Sequence, residues 1–223
     1  MPDSAGQLFI VATPIGNLGD ISARAKQVLS AVDLVLCEDT RVTAKLMAAL
    51  EIRPSLQSFH EHTDQLKRKQ LLDQLVAGKT MALVTDAGTP AISDPGGALV
   101  ADAVAAGVLV TPIPGASAVI AALSISGLPF DRFTFVGFPP HKKGRQTFFK
   151  ELADIHHVIV LYESTHRIMK TLEALKELNR QLIVCRELTK LHETIYRGSA
   201  EEVMKQIEAT SSKGEFVIVI ASK

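Results

Sequence analysis

The chain of 223 residues lacks tryptophan, contains only two cysteines, and has no excess of charge of either sign, with 24 Lys+Arg against 24 Asp+Glu. Two cysteines cannot form the framework of a disulfide-rich secreted domain. Both lie in apolar runs, where a cysteine usually behaves as a small buried hydrophobe. A net charge of zero argues against non-specific coating of nucleic acid. We therefore expect a cytosolic protein whose phosphate binding, if any, depends on a local cluster of cations.

The sequence also lacks the features of targeting segments and of membrane-spanning segments. The stretch MPDSAGQLFIVATPIG has neither the basic region nor the long apolar region of a signal peptide. No apolar run reaches the roughly 18 residues that a spanning helix needs. Hydrophobic residues nevertheless make up 47% of the chain and charged residues 22%, a composition typical of globular proteins. The sequence thus predicts a soluble cytoplasmic protein that does not bind membranes.

Short strand-like runs alternate with amphipathic helical stretches along the whole chain. This rhythm predicts an α/β fold in which helices connect parallel strands. Asp20 is predicted to cap the first helix and Thr40 the second. The stretch TPIPGAS, at 111–117, has the composition of a linker. We place the domain boundary there, with an N-terminal α/β domain over residues 1–113 and a C-terminal α/β domain over residues 114–223.

Two motifs that imitate ligand sites are excluded by their context. Gly78-Lys79-Thr80 resembles the end of a phosphate-binding loop, but it precedes a strand and lacks the earlier glycine, so Gly78 is interpreted as a helix C-cap. His60-Glu61-His62 has no cluster of Cys or His nearby, which favours an exposed loop over a metal site. We expect neither a bound metal nor a thiol nucleophile.

Glycine-rich and carboxylate-rich segments follow the predicted strands of the first half, where ligands of open α/β sheets bind. Thr13–Asp20 forms a tight turn. Glu38, Asp39 and Arg41 place more charge after a buried strand than helix capping requires. Asp86–Gly97 is a rigid loop with few side chains, whose backbone can approach a ligand closely. Each segment also has a purely structural interpretation. Thr13–Asp20 would be a plain capping turn, the charges at 38–41 a structural ion pair, and Asp86–Gly97 a long connector.

The second half of the sequence also contains segments that could bind a ligand. Pro114–Ala118 lies in the linker and Leu161–Arg167 follows the strand HVIVLY, and we expect both to face a cleft between the domains. A loop rich in proline and glycine also gathers three cations, Lys142, Lys143 and Arg145. Such charge runs are usually solvated faces, but cations beside a cleft also suit the positioning of phosphates.

Taken together and in order, ATPIGNLGD, CEDTR, DAGTPAISDPG, PGASA, YESTHR, RELTK and KGEFVIVI resemble the ribosomal RNA small subunit methyltransferase I family of the tetrapyrrole methylase superfamily. The resemblance spans Leu8 to about Ile220. It implies a two-lobed α/β fold in which each lobe has a mixed sheet with flanking helices and S-adenosyl-L-methionine binds between the lobes. It also implies a homodimer and methyl transfer to the ribose 2'-hydroxyl of a cytidine in 16S rRNA, either naked or in the assembled small subunit.

This sequence departs from the family at Ala116 and Thr165, where proline is common. Many members continue past the strand that matches GEFVIVI. We expect such an extension to concern RNA contacts rather than the cofactor site.

The resemblance assigns residues to the cofactor: Gly88, Thr89, Pro90, Ile92, Ser117, Ala118, Leu161, Tyr162, Arg186 and Gly214. A ribose hydroxyl is a poor nucleophile, so some group must accept its proton. The carboxylates near the predicted cleft leave four candidates open: Glu38, Asp39, Asp86 and Glu163. Candidates for contacts with RNA phosphates are Arg41, Lys142, Lys143, Arg145 and Arg167.

Two rival functions stay open at this point. A small-molecule methyltransferase of the tetrapyrrole type would share the fold, because a fold alone does not determine the acceptor. The three cations Lys142, Lys143 and Arg145 weigh against it. A non-catalytic ribosome-assembly module would share the fold too, but it would not need polar groups at the strand ends.

Overall fold

The computed structural model of the chain describes residues 6–60 and 63–223. Within this part the chain divides into two compact units, of which the first ends at Ser117 and the second spans Ala118–Lys223. The division falls in the predicted linker, just after the predicted boundary at Ile113. Of the motif His60-Glu61-His62, the last two residues lie outside the described residues.

The described residues of the first unit form five strands whose carboxyl ends all point the same way. Its elements are β1 (Gln7–Val11), α1 (Ala23–Ala31), β2 (Leu34–Cys37), α2 (Thr40–Ala49), β3 (Leu56–Ser58), α3 (Gln65–Val76), β4 (Thr80–Leu83), α4 (Gly97–Ala105) and β5 (Leu109–Ile113). The strand order is β3-β2-β4-β1-β5, and every pair is parallel. Because parallel neighbours need a crossover connection, the loops after all five strands lie at one end of the sheet.

Two helix starts differ from the predicted ones. Ser22 caps α1 with its side chain, while Asp20 belongs to a short 3-10 turn over Leu18–Asp20. Asp39 caps α2, so Thr40 is the first helical residue rather than the cap. The predictions of Asp20 and Thr40 as caps were wrong because several neighbouring polar side chains can cap a helix, and the path of the backbone selects among them.

The first sheet is buried on both faces. Met81 and Leu83 of β4 face one hydrophobic cluster, together with Leu36 of β2. Ala82 faces the other cluster, together with Cys37. Burial on both faces explains why these strands are continuous apolar runs rather than alternating ones. It also raises the pKa of the Cys37 thiol, which fits the expected core cysteine.

The second unit surrounds a mixed sheet. Its elements are α5 (Ala118–Ser124), β6 (Phe133–Phe135), α6 (Arg145–Asp154), β7 (Val158–Ser164), α7 (Ile168–Leu175), β8 (Leu182–Arg186), β9 (Thr194–Gly198), α8 (Ala200–Glu208) and β10 (Glu215–Ile220). The strand order is β6-β7-β10-β8-β9; β6 and β7 are parallel, and the other neighbours are antiparallel. The α/β prediction is confirmed. The mixed pairing expected of both sheets occurs in the second, whereas helical crossovers make the first wholly parallel.

Helix α8 begins at a capping box. The amide of Glu202 donates to the Ser199 hydroxyl at 3.3 Å, and the Glu202 carboxylate accepts from the Ser199 amide at 2.8 Å. This reciprocal pair satisfies two amides that a helix start leaves without partners. Among the described residues, no helix has the length and apolar character needed to cross a bilayer.

Candidate functional site

The loops after β1, β4 and β5 are joined by backbone contacts at the carboxyl end of the first sheet. The Thr13 amide donates to the Gly88 carbonyl at 2.9 Å, and the Gly88 amide donates to the Thr13 carbonyl at 3.1 Å. The Thr13 hydroxyl donates to the Thr85 carbonyl at 3.0 Å. The Thr89 hydroxyl reaches the Ala116 carbonyl at 3.4 Å. Three segments selected from the sequence therefore meet here, and we call this set of loops the first site.

Two glycines allow these loops to approach one another. Gly88 has a φ of +86°, and a Cβ there would lie 3.4 Å from Cγ2 of Ile15. A Cβ at Gly115 would lie only 3.0 Å from the Cβ of Ala12. The first is a backbone conformation that favours glycine, and the second is a contact too tight for a side chain. The result is a set of loops that pack closely through their backbones, with few side chains between them.

The loop between β4 and α4 contains strained backbone. Ala91 and Ser93 are not glycines, yet they have φ values of 67° and 63°. Each such residue costs about 1–3 kcal/mol, and such strain clusters at ligand clamps. Between them, Ile92 presents an apolar side chain that is 47% exposed. Pro90 is buried. Of these two predicted cofactor contacts, only Ile92 therefore exposes its side chain.

Carboxylates collect beside this backbone surface. The Asp39 amide donates to Oδ1 of Asp86 at 3.3 Å, which joins the loops after β2 and β4. Burial raises the pKa of Asp86, and the negative charge of Asp39 adds to the effect. Burial also raises the pKa of Asp94 to about 6; the Thr85 hydroxyl opposes this shift, and the charges of Glu38 and Asp86 reinforce it. Burial and neighbouring negative charges also raise the pKa values of carboxyl groups at functional sites.

Asp94 is absent from the residues selected by sequence. Its signal was the second aspartate of the segment DAGTPAISDPG, directly before a Pro-Gly pair, which reads equally well as a turn residue. Only the burial of Asp94 beside other carboxylates distinguishes it from a turn aspartate.

Asp39 has a different environment. Its Oδ1 accepts hydrogen bonds from the amide of Arg41 at 2.8 Å and from Nε at 3.0 Å, and its Oδ2 lies 2.6 Å from Nη2. These hydrogen bonds from Arg41 lower the pKa of Asp39 to about 2. A carboxylate with so low a pKa is a poor proton acceptor at neutral pH. Asp39 therefore caps α2 and holds Arg41, whose side chain is 87% exposed. Glu38, next to it, is exposed.

The corresponding end of the second sheet carries aromatic rings. Tyr162 contacts Phe135, with ring centroids 4.8 Å apart, and Phe138, with centroids 5.4 Å apart. Its amide donates to the Gly137 carbonyl at 3.0 Å. Leu161 points into the hydrophobic core and is fully buried, which leaves only its backbone for a ligand.

The loops before β9 and β10 are tied to this end by polar contacts. Arg186 donates from Nε to the Lys213 carbonyl at 2.6 Å and from Nη1 to the His192 carbonyl at 3.0 Å. The Gly214 amide donates to the Thr165 hydroxyl at 2.7 Å. Two predicted cofactor contacts, Arg186 and Gly214, thus lie close together in the second unit. Two others, Ser117 and Ala118, are half-buried where the first unit ends and the second begins.

Glu163, predicted as a possible proton acceptor, is buried in an ion pair. Its Oε1 lies 2.9 Å from Nε of Arg167 and accepts from the Ser164 amide at 2.8 Å. Its Oε2 accepts from the Thr171 hydroxyl at 2.5 Å, and Nη2 of Arg145 donates to that hydroxyl at 2.7 Å. Arg145 and Arg167, predicted as RNA contacts, therefore both make internal bonds.

Lys142 and Lys143 stand apart from this network. Both are exposed, and within the part of the chain that the structure describes their ammonium groups make no hydrogen bond or ion pair. Across residues 6–60 and 63–223, no group of three or more His, Cys, Asp or Glu side chains is arranged to hold a metal ion. A cavity of about 440 Å³ at the start of β8, lined in part by Arg180 and Ser199, contains none of the predicted site residues.

Comparisons with known proteins agree with this architecture. A protein of Synechocystis sp., ribosomal RNA small subunit methyltransferase I, is 47% identical over 220 residues, which cover 97% of this chain and 79% of that protein. The protein of the same name from Thermotoga maritima is 41% identical over 220 residues, which cover 98% and 99%.

A solved structure shares the fold at lower identity. Uroporphyrin-III C-methyltransferase from Thermus thermophilus, complexed with S-adenyl homocysteine, has a TM-score of 0.66 at 17% identity and covers 97% of both chains. The family model of the Tetrapyrrole (Corrin/Porphyrin) Methylases matches residues 7–204. The chain belongs to the tetrapyrrole methylase family and, within it, to the ribosomal RNA small subunit methyltransferase I proteins.

Proposed function

We propose that this protein transfers a methyl group from S-adenosyl-L-methionine to the ribose 2'-hydroxyl of a cytidine in 16S rRNA. Family membership supports methyl transfer to RNA of the small subunit. The observation that carries the chemistry is the first site, where a backbone surface around Gly88 lies beside carboxylates with raised pKa values. This arrangement combines a place for a small polar molecule with groups that can take a proton.

The residues of the first site suit the methyl donor. An adenosine with an amino-acid tail needs backbone donors and acceptors, small side chains and a few apolar contacts. Gly88 and Gly115 keep the surface free of side chains, Thr89 brings a hydroxyl and Ile92 an exposed apolar side chain. When bound, the donor supplies an electrophilic methyl group on a sulfonium. We propose Gly88, Thr89, Pro90, Ile92 and Ser117 as its contacts in this unit.

Five residues of the second unit stay proposed cofactor contacts on the basis of the family resemblance: Ala118, Leu161, Tyr162, Arg186 and Gly214. Leu161 would act through its backbone, because its side chain belongs to the core. Arg186 would keep the loops beside Gly214 in place, because its guanidinium is bonded to their carbonyls.

The proposed proton acceptor lies among the carboxylates of the first site. The pKa of Asp39 is too low for the task, and Glu163 has both oxygens occupied inside the second unit. A general base works best when its pKa approaches the operating pH, so a carboxyl with a pKa of about 6 is the better base and is still ionised at neutral pH. We therefore propose Asp94 as the proton acceptor, with Asp86 beside it. The negative charge of Glu38 acts on Asp94 as well.

RNA phosphates are the proposed partners of the exposed cations Lys142, Lys143 and Arg41. Contacts with phosphates orient a nucleic acid without reading its sequence. Lys142 and Lys143 are available because their ammonium groups have no internal partner among the described residues. Arg41 is exposed as well, although it would have to share its guanidinium with Asp39.

The decisive experiment is a methylation assay with donor labelled in its methyl group. Three acceptors are compared: purified small subunits, naked 16S rRNA and a tetrapyrrole. A 2'-O-methyl group blocks alkaline cleavage of the adjoining phosphodiester, so label in an alkali-resistant dinucleotide that begins with cytidine supports the proposal. Label in the tetrapyrrole alone would favour the small-molecule enzyme. Binding of subunits without any transfer would favour the non-catalytic module.

The homodimer and the cytoplasmic location stay predictions. Sedimentation velocity of the purified protein would test the first, since a dimer would have twice the monomer mass of 24.0 kDa.

A further inference from the structure

We propose that Glu163 is a positioning residue for RNA. Its buried carboxylate holds Arg167 and, through Thr171, Arg145, and these two guanidinium groups fix residues 138–144, which we call the basic loop. The proposal rests on the proposed function, because it assumes that the basic loop contacts RNA.

The carboxylate itself is fully engaged. The Glu163 side chain is 0% exposed and that of Arg167 is 15% exposed. A buried carboxylate is tolerated only when a cation and hydrogen bonds compensate for lost hydration. Arg167, the Ser164 amide and the Thr171 hydroxyl provide this compensation. Arg167 and Thr171 are in turn restrained, because a change in either would leave the carboxylate short of a partner.

Both arginines also donate hydrogen bonds to the basic loop and so restrain it. Nη1 of Arg167 donates to the Pro139 carbonyl at 2.8 Å, and Nη1 of Arg145 donates to the Pro140 carbonyl at 3.2 Å. Proline has no amide hydrogen, so the loop cannot be tied at these positions through its own amides. The guanidinium groups hold this part of the loop through its carbonyls instead.

The far end of the loop is restrained as well. Gly144 has a φ of 82°, and the amide of Arg145 donates to the Lys142 carbonyl at 3.2 Å. The Arg145 guanidinium also lies 4.9 Å from the centre of the Phe149 ring, within the range of a cation–π contact. Lys142 and Lys143 are thus exposed cations on a loop that is held on both sides. Binding loses less conformational entropy when the groups that bind are already in place.

This arrangement distinguishes positioning from catalysis. A proton acceptor must reach the ribose hydroxyl, whereas both oxygens of Glu163 already face internal partners. A residue that positions the basic loop would change RNA affinity and the KM for RNA but leave kcat unchanged. A proton acceptor would change kcat at saturating RNA.

The test uses Glu163→Gln in the full-length protein, with Glu173→Gln as matched control. Glu173 pairs with Lys176 on the surface of α7. For Glu163→Gln we expect RNA binding about tenfold weaker, because two long side chains must be ordered afresh. The affinity for S-adenosylmethionine, measured by calorimetry, and kcat at saturating RNA stay within about twofold of the wild type. Glu173→Gln leaves RNA binding unchanged. A kcat that falls about a hundredfold at unchanged RNA affinity would overturn the proposal and identify Glu163 as the base.

A double-mutant cycle tests the route through the loop. Combining Glu163→Gln with Lys142→Gln and Lys143→Gln should weaken RNA binding hardly more than the lysine changes alone, because the loop then has no cations to present. Fully additive effects would contradict the proposal.

Thr171→Val provides an independent variant if Glu163→Gln fails to fold. It removes the link to Arg145 and retains the pair between Glu163 and Arg167. We expect a smaller loss of RNA affinity than for Glu163→Gln. When Lys142 and Lys143 are already replaced by glutamine, Thr171→Val should cause no further loss. Because these readouts are binding measurements, they remain informative if the wild type proves inactive in methyl transfer, which would refute the proposed function alone.

Discussion

Arg41 and Arg167 each pair with a carboxylate a few residues away, the first just after β2 and the second just after β7. Nη2 of Arg41 lies only 2.6 Å from Oδ2 of Asp39, but the arginine side chain is 87% exposed. Arg167 and Glu163 are 2.9 Å apart, with side chains 15% and 0% exposed. The shorter contact lies in water, which screens it, and the longer one lies where both charges have lost their hydration. Burial rather than distance decides which pair the structure depends on.

The first site and the second unit also differ in what surrounds their carboxylates. In the first site, burial raises the pKa values of Asp86 and Asp94, and the negative charges of neighbouring carboxylates add to the effect. The second unit surrounds its carboxylate, Glu163, with an arginine and a hydroxyl. Carboxylates beside like charges are suited to taking a proton, and a carboxylate bound to a cation is suited to holding its neighbours in place. Four experiments test this contrast.

The largest expected effect concerns the transfer rate. Asp94→Asn should lower the single-turnover rate by roughly two to four orders of magnitude, because the variant cannot accept the proton. In the wild type the rate should rise with pH through about 6, where Asp94 ionises. Asp39→Asn serves as the control and should change the rate less than tenfold. Equal rates in the wild type and Asp94→Asn would assign the proton to Asp86 or Glu38 instead.

The next effect is on stability. Arg167→Leu should lower the free energy of unfolding by about 3 kcal/mol, because it leaves the buried Glu163 without its cation. Arg41→Leu, the matched control, should leave the unfolding midpoint in urea unchanged, since its pair is exposed. Similar losses in the two variants would show that the burial of these pairs does not determine their contribution.

A smaller effect is expected at Gly88. Gly88→Ala should weaken binding of S-adenosylmethionine about tenfold, because alanine avoids a φ of +86° and would disturb the bridge to Thr13. Gly97→Ala is the matched control. A Cβ at Gly97, in the first turn of α4, would meet no atom within 4 Å. Calorimetric titration compares the two variants, and equal affinities would mean that the loop at Gly88 does not bind the donor.

The smallest effect is a pH-dependent gain in stability. The folded-state pKa of Asp94 is about 6, above the ordinary aspartate value of 3.8, so the native state loses stability as the pH rises through this window. Asp94→Asn has no such loss. At pH 8 it should be more stable by about 1 kcal/mol, after allowance for solvent screening of a half-exposed group. The gain should vanish below about pH 4 in thermal melts, and a gain that persists there would have another cause.

Local sequence signals correctly predicted the α/β fold and the positions of the polar loops after the strands. Strand runs, glycines and capping residues report on their immediate neighbours, which a sequence shows directly. The same signals were ambiguous at Asp20 and Thr40, because each has other polar residues close by that can cap the same helix.

The roles of the charged residues depended on contacts between distant parts of the chain. Asp39 meets Asp86 across 47 residues, and Arg145 meets Thr171 across 26. In sequence Glu163 and Asp86 are equivalent, since each is a carboxylate at the end of a strand. Only the tertiary structure buries Glu163 between Arg167 and Thr171 and places Asp86 near Asp94, because burial and contacts between loops depend on how distant segments pack.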